Sequence, residues 1–189
     1  MSQTATVFPV RIDTYLQGEL GSESRHEYVA GQTFMMAGAG ERHSRIAGNL
    51  FFHLRGAIRG TPCGVFVSDM KVRITAHDSF YYPDVLVTCD PSDRESLNKT
   101  TPCLIAEVLS PATEIIDRRE KLIAYRTLPS LRDYLLISQD SRRVERYYRD
   151  AAGHWTHEII EDGGLQIVCG DLDVALTLAD LYEDVVFED

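Results

Sequence analysis

Between Glu41 and Arg59 the apolar residues Ile46, Ala47, Leu50, Phe51, Leu54 and Ile58 recur at three- and four-residue intervals. That is the stripe of an amphipathic helix, and its apolar face needs a sheet to lie on. A shorter helix is predicted over Arg11–Gly18, ended by Gly18 and Gly21. Elsewhere the apolar positions come in short runs that read as strands: His26–Val29 and Gln32–Met36 about a turn at Ala30-Gly31, then Val65–Val67, Lys71–Ile74, Pro83–Thr88 and Cys103–Leu109. Ser110-Pro111 breaks the last of these, Ser110 or Thr113 can cap a helix running to about Thr127, and Pro129 stops it before a further strand over Arg132–Ser138. Strand, helix, strand in that order is a crossover unit, which favours a parallel pair inside a mixed sheet. Arg143–Arg149, Trp155–Ile160 and Leu165–Val168 predict a more antiparallel finishing layer, and Leu172–Leu178 with Leu181-Tyr182 closes the chain. The expected architecture is α/β, a mixed central sheet flanked by helices with extra C-terminal antiparallel strands.

Composition narrows this picture. With 189 residues and no repeat or Gly/Ser linker, residues 1–189 are expected to form one domain, large enough to bury a core without disulfides. Cys63, Cys89, Cys103 and Cys169 are scattered with no CxxC pair, so they are expected as reduced core thiols, without a zinc cluster or a disulfide framework. No long apolar run opens the chain, and none approaches the roughly 20 residues of a membrane span, so a soluble cytoplasmic protein is expected. The net charge of -10 is unevenly placed: Glu158 to Asp189 holds ten acidic residues and no lysine or arginine, leaving residues 1–157 neutral. A local basic surface around Arg42, Arg45, Arg118, Arg119, Lys121 and Arg126 is compatible with phosphate binding, although the whole molecule would not be steered toward it.

The candidate chemistry lies in two strands. Asp84 follows a proline at the start of Tyr82-Pro83-Asp84-Val85-Leu86-Val87, and Glu107 sits late in Leu104-Ile105-Ala106-Glu107-Val108-Leu109. A carboxylate inside such a run is costly to bury unless something pairs with it, and a divalent cation shared by neighbouring strands would do so. Asp84 also suits a strand-start carboxylate satisfied by turn amides. Glu107 needs either a cation or a basic side chain beside it.

These residues resemble the PD-(D/E)XK nuclease superfamily, and within it the Uma family of restriction-endonuclease-like proteins. The resemblance extends over Glu27-Tyr28-Val29-Ala30-Gly31, Met36-Ala37-Gly38 with His43, Tyr82-Pro83-Asp84, Glu107-Val108-Leu109-Ser110-Pro111, Asp117-Arg118-Arg119-Glu120-Lys121 and Tyr134-Leu135-Leu136-Ile137. It implies Asp84 and Glu107 as ligands of Mg²⁺ or Mn²⁺ and a lysine as their catalytic partner. The superfamily's Glu-X-Lys is not kept, because position 109 is leucine. Lys121, which shares a helical face with Asp117 and Tyr125, is the candidate replacement, the alternative being an Asp117/Lys121 surface pair. Glu27 and His43 are second-tier candidates. Glu27 either completes the metal site or caps a turn, and His43 either meets phosphate at a helix start or is a hydrogen-bonded core group.

The resemblance implies a metal-dependent endonuclease acting on DNA. Cutting both strands of a duplex needs two sites, and hence a homodimer. A nuclease-fold binding or assembly module without cleavage is the alternative, and a small phosphorylated ligand a third. Tyr81, Tyr82, Tyr125, Tyr147 and Tyr148 suit base stacking or ordinary packing. Gly38-Ala39-Gly40 lacks the Gly-Lys-Ser/Thr ending of a nucleotide-binding loop.

Overall fold

The computed structural model describes residues 9–187. Helix α1 (Ile12–Glu19) leads into a hairpin of β1 (His26–Val29) and β2 (Gln32–Met35), and the striped segment forms α2 (Glu41–Ala57). Short strands β3 (Gly64–Val67), β4 (Lys71–Ile74), β5 (Ser79–Tyr81), β6 (Val85–Thr88) and β7 (Asn98–Lys99) precede the long strand β8 (Pro102–Leu109). Beyond it come α3 (Glu114–Ile116), a π-helical turn (Asp117–Lys121) and α4 (Leu122–Tyr125). Strands β9 (Asp133–Ser138), β10 (Val144–Arg149), β11 (Trp155–Ile160), β12 (Gly164–Cys169) and β13 (Leu172–Thr177) follow, and α5 (Leu178–Leu181) ends the regular structure.

Where the sequence predicted one mixed sheet with a finishing layer, the strands divide into two sheets and a separate hairpin. The six-stranded sheet runs β11-β10-β9-β8-β6-β3, the five-stranded sheet β2-β1-β5-β4-β7, and β12 pairs with β13 alone. Residues 71–74 leave the sheet that holds β3 because Ser68 turns the chain with φ of 56°, its N–H bound to the Asp84 carbonyl at 3.0 Å. The short strands β5 and β7 escape a pattern reading; β5 is parted from β6 by Tyr82-Pro83-Asp84, where the proline cannot donate to a ladder. The crossover prediction holds, for β8 and β9 are parallel with Glu107 opposite Leu136. The first hairpin turns on Ala30 and Gly31 at φ 47° and 85°. A side chain at Gly31 would collide with Pro9.

The alternation of β8 separates two cores. Leu104, Ala106 and Val108 meet Ile46, Leu50 and Leu54 of α2 together with Val85 and Val87. Ile105 and Leu109 face the other way, into Leu86, Tyr125, Leu131 and Tyr134. Glu107 shares the parity of Ile105 and Leu109, so its carboxylate enters the tyrosine-lined side. The helix expected to run unbroken to Thr127 covers that side, but it is interrupted by the π turn. Ser110 and Thr113 do not cap it with their side chains; their hydroxyls bond each other at 3.0 Å.

The cysteines are not the reduced thiols that their spacing suggested. They are joined as Cys63–Cys89 and Cys103–Cys169, because the strand ends that carry them meet in space although they are remote in sequence. Among the described residues no helix is long and apolar enough to cross a membrane.

The C-terminal segment is pinned to the main sheet by one phenol. Tyr182, 1% exposed, lies with its hydroxyl 2.9 Å from the Ser138 carbonyl and 2.8 Å from that of Arg143, and accepts the Arg143 N–H at 3.1 Å. Tyr182→Phe removes a partner from buried backbone groups at the β9–β10 turn. It should lower stability by about 1–3 kcal/mol, read as a shift of the urea midpoint without change of slope.

Candidate active site

Asp84 and Glu107 face each other directly. The β6–β8 register pairs Val85 with Ala106, so one step further Asp84 stands opposite Glu107, with the Asp84 N–H 3.3 Å from Glu107 Oε2. Like charges opposite one another on adjacent strands are unfavourable without a cation. Asp84 Oδ2 accepts the Val108 N–H at 2.7 Å and lies 3.1 Å from His43 Nε2, which α2 carries one turn before its buried stripe. Glu107 Oε1 accepts from Lys121 Nζ at 3.1 Å and from the Tyr125 hydroxyl at 3.0 Å.

Lys121 is the hub. Its amine lies 3.0 Å from Glu27 Oε1, 3.1 Å from Glu107 Oε1 and 3.1 Å from Asp117 Oδ1, with the lysine side chain only 6% exposed. Sequence reasoning offered Lys121 both as the lysine partner of Asp84 and Glu107 and as part of a basic surface; the structure buries it beside Glu107. The reason is geometric. Position 109 has the parity to reach the site but is an aliphatic core residue, while the helix packed over the same face of β8 delivers a long side chain from above. Glu27 does not cap a turn: from the middle of β1 it reaches Lys121 and accepts the Tyr82 N–H at 3.3 Å. Asp117 Oδ1 is buried and, although close to the amine, lacks an aligned hydrogen-bond donor.

Four carboxylates, from Glu27, Asp84, Glu107 and Asp117, thus share one lysine and one histidine. Burial raises the Glu107 carboxyl well above the ordinary range; Lys121 opposes this, while Asp117, Asp84 and Glu27 add to it. Burial alone would lower the Lys121 amine, but the charges of Glu107, Glu27 and Asp117 raise it well above the usual lysine value. The lysine is therefore a fixed positive charge and no proton acceptor. Burial likewise works against a charged His43, yet its hydrogen bond to Asp84 and the charges of Asp84 and Asp117 raise it above its ordinary value. Tyr125 stays a protonated donor because burial, then the Glu107 charge, raises its phenol.

Tyrosines build the floor. Tyr125 packs edge-on against Tyr81 and Tyr134, with ring centroids 5.7 and 5.2 Å apart, and the Tyr134 hydroxyl satisfies the Asp117 carbonyl in the π turn at 3.0 Å. Tyr81, Tyr82 and Tyr125 are buried and so are packing residues here, not base-stacking ones. Two site residues, Asp117 and Tyr125, were not assigned to the site from sequence. Their shared helical face with Lys121 was the available signal. The arginines expected as a basic surface are largely paired: Arg42 with Asp140, Arg45 with Glu41, and Arg118 with Glu114 and Glu145. Two surface hollows, of about 300 and 450 Å³, lie beside α1 and at the start of α2, neither lined by Asp84, Glu107 or Lys121.

A mixed sheet with Pro-Asp leading into one strand and a glutamate on the next, with helices on its faces and a separate antiparallel pair at the C-terminal end, defines a restriction-endonuclease-like fold. The chain belongs to the Uma2 family, described as "Putative restriction endonuclease", whose model matches residues 12–179. It is 40% identical over 144 residues to the uncharacterized protein slr1290 of Synechocystis, covering 76% of each chain. A second Synechocystis relative, the uncharacterized protein sll1609, is 36% identical over 158 residues, 82% of this chain and 89% of the other. In structure it resembles a crystal structure from Anabaena variabilis described as a putative nuclease belonging to DUF820, with a TM-score of 0.74 at 17% identity, covering 94% of this chain and 100% of that one.

If Lys121 is the charge that keeps the carboxylates together, Lys121→Met should cost roughly 3–5 kcal/mol, as expected when one member of a buried ionic network is removed. Adding Glu107→Gln to it should restore part of the loss, giving a coupling of about 1–3 kcal/mol in a urea double-mutant cycle. Strictly additive effects of the two substitutions would show that the lysine and glutamate do not depend on each other.

Proposed function

We propose that this protein is a metal-dependent endonuclease that hydrolyses DNA phosphodiester bonds at the Asp84–Glu107 pair. The observation that carries the reading is the placing of these two carboxylates directly opposite one another beside a permanently charged lysine, with more negative charge than Lys121 and His43 balance. The donor set fits Mg²⁺ or Mn²⁺: hard carboxylate oxygens from Asp84 and Glu107 at an edge where Asp84 is 15% exposed. When bound, the ion supplies Lewis acidity at the phosphate and acidifies water.

The chain's own residues do the rest. The Val108 N–H and His43 fix the orientation of Asp84, and Tyr125 with Lys121 fixes that of Glu107. Lys121, held between Glu27 and Asp117, presents fixed positive charge where negative charge grows on the phosphate, an effect expressed in the transition state more than in binding. In this reading the protein works as a cytoplasmic homodimer, one site for each strand, and residues 1–189 form one domain.

The second reading is a nuclease-fold binding module without cleavage. It is favoured by how fully the Lys121 amine is occupied, with three carboxylates at 3.0–3.1 Å. Cleavage of duplex DNA in Mg²⁺ or Mn²⁺ separates the two. Wild type should cut and Glu107→Gln should lose cutting by at least about a hundredfold while keeping its circular dichroism; no cutting by wild type in either ion favours the binding module. Calorimetric titration of Mn²⁺ should give one binding event in wild type that Asp84→Ala abolishes, and unchanged binding by the variant removes Asp84 as a ligand. Sedimentation at micromolar concentration should show a dimer. A monomer alone would leave at most a nicking activity.

A further inference from the structure

All four cysteines of the chain meet at one place. Cys63 stands just before β3 and Cys89 just after β6. Since the register pairs Gly64 with Thr88, these two are opposite one another, Cα atoms 4.0 Å apart. Cys103 lies at the start of β8 and Cys169 ends β12, with Cα atoms 5.8 Å apart. The two disulfides are stacked: Cys89 Sγ is 4.0 Å from Cys103 Sγ, and the sulfurs of Cys89, Cys103 and Cys169 lie within 4.8 Å of one another. The turn after β12 presses on them, since a side chain at Gly170 would come 2.6 Å from Cys89 Cβ.

Cross-linking alone does not call for this convergence. Cys103–Cys169 ties the hairpin to the sheet, whereas Cys63–Cys89 joins two strands already paired by a ladder. What three sulfurs within 4.8 Å of one another, with the fourth bonded to one of them, do approach is tetrahedral coordination. Metal–sulfur bonds of about 2.3 Å place the ligands roughly 3.8 Å apart, close to the separation already present between the unbonded Cys89 and Cys103 sulfurs. Cys103 and Cys169 are buried within the aliphatic core beneath α2, while Cys63 and Cys89 are partly exposed and offer an entry. Thiolates in such a setting need a cation, and soft sulfur selects zinc over the hard ions suited to Asp84 and Glu107.

We propose that the reduced form of this chain binds one zinc ion through Cys63, Cys89, Cys103 and Cys169, a structural site separate from the carboxylate cluster that clamps the β12–β13 hairpin to the end of the six-stranded sheet. Each disulfide takes two electrons and two protons from a dithiol reductant, and the thiols then release protons to solvent as the ion binds. In a reducing compartment, where disulfides rarely persist, the metal replaces the covalent links.

The test uses the full chain, reduced and freed of reductant without oxygen, with four thiols verified by a colorimetric assay. Co²⁺ serves as the spectroscopic probe. One equivalent should produce intense sulfur-to-metal charge-transfer absorption with tetrahedral ligand-field bands, and one equivalent of Zn²⁺ should bleach it while excess Mg²⁺ does not. Cys169→Ser and, at the more accessible edge, Cys63→Ser should each weaken Zn²⁺ binding at least tenfold. If reduction unfolds the chain, Zn²⁺ should restore its circular dichroism. Absence of the charge-transfer band with all four thiols free, unaltered affinity in both variants, or failure of Zn²⁺ to restore a reduced, unfolded chain would each overturn the proposal. Because no readout uses DNA cleavage, the result is independent of the function assigned to Asp84 and Glu107.

Discussion

One ammonium group holds the carboxylate-rich end of this molecule together. The Lys121 amine is buried among Glu27, Glu107 and Asp117, with Asp84 next to Glu107, and none of those carboxylates would tolerate its neighbours without it. The elements it joins are otherwise separate: Glu27 belongs to the five-stranded sheet, Glu107 to the six-stranded sheet, and Asp117 to the covering helix. The electrostatic centre is therefore also a junction of layers. Its polar cost is limited by supporting contacts, including Tyr125 to Glu107 and Tyr134 to the π turn.

The π turn is part of the same device. Asp117 and Lys121 are both buried in an otherwise exposed stretch of helix, and such turns are commonly found at functional sites. Moving the lysine from a strand to this helix changes what the strand has to be. Leu109 is free to join the tyrosine-lined core, and β8 is buried along its whole length. The strand that carries Glu107 thereby becomes a rigid element, and positional control of Glu107 comes from packing on both sides.

Much of this was legible in the amino-acid order, for identifiable reasons. The α2 stripe, the Ala30-Gly31 turn and the β8–β9 crossover each rest on local periodicity or on a connection rule, and these survive folding. The division into two sheets depended on the left-handed backbone of Ser68, a conformation that nothing in its neighbourhood announces. Asp84 and Glu107 stood out because a charge inside an aliphatic run is conspicuous. Asp117 and Tyr125 did not, because acidic and aromatic residues on an amphipathic helix are ordinary until the opposite surface is known. The cysteines show the same limit from another side. Spacing along the chain reveals metal or disulfide pairs only when the partners are close in sequence, and here the four come from the ends of four different strands.

The placing of the lysine after the acidic strands orders events during synthesis. Glu27, Asp84 and Glu107 leave the ribosome before Lys121, and β9, which pairs with β8, follows later still. Until residue 121 has emerged, the growing chain holds four mutually repelling carboxylates, Asp117 included, destined for one spot without the lysine that joins them. The sheet that brings them together is thus disfavoured in fragments and favoured in the longer chain. An acidic centre that would otherwise attract stray cations to a half-made molecule is in this way kept dispersed until the residue that balances it is present.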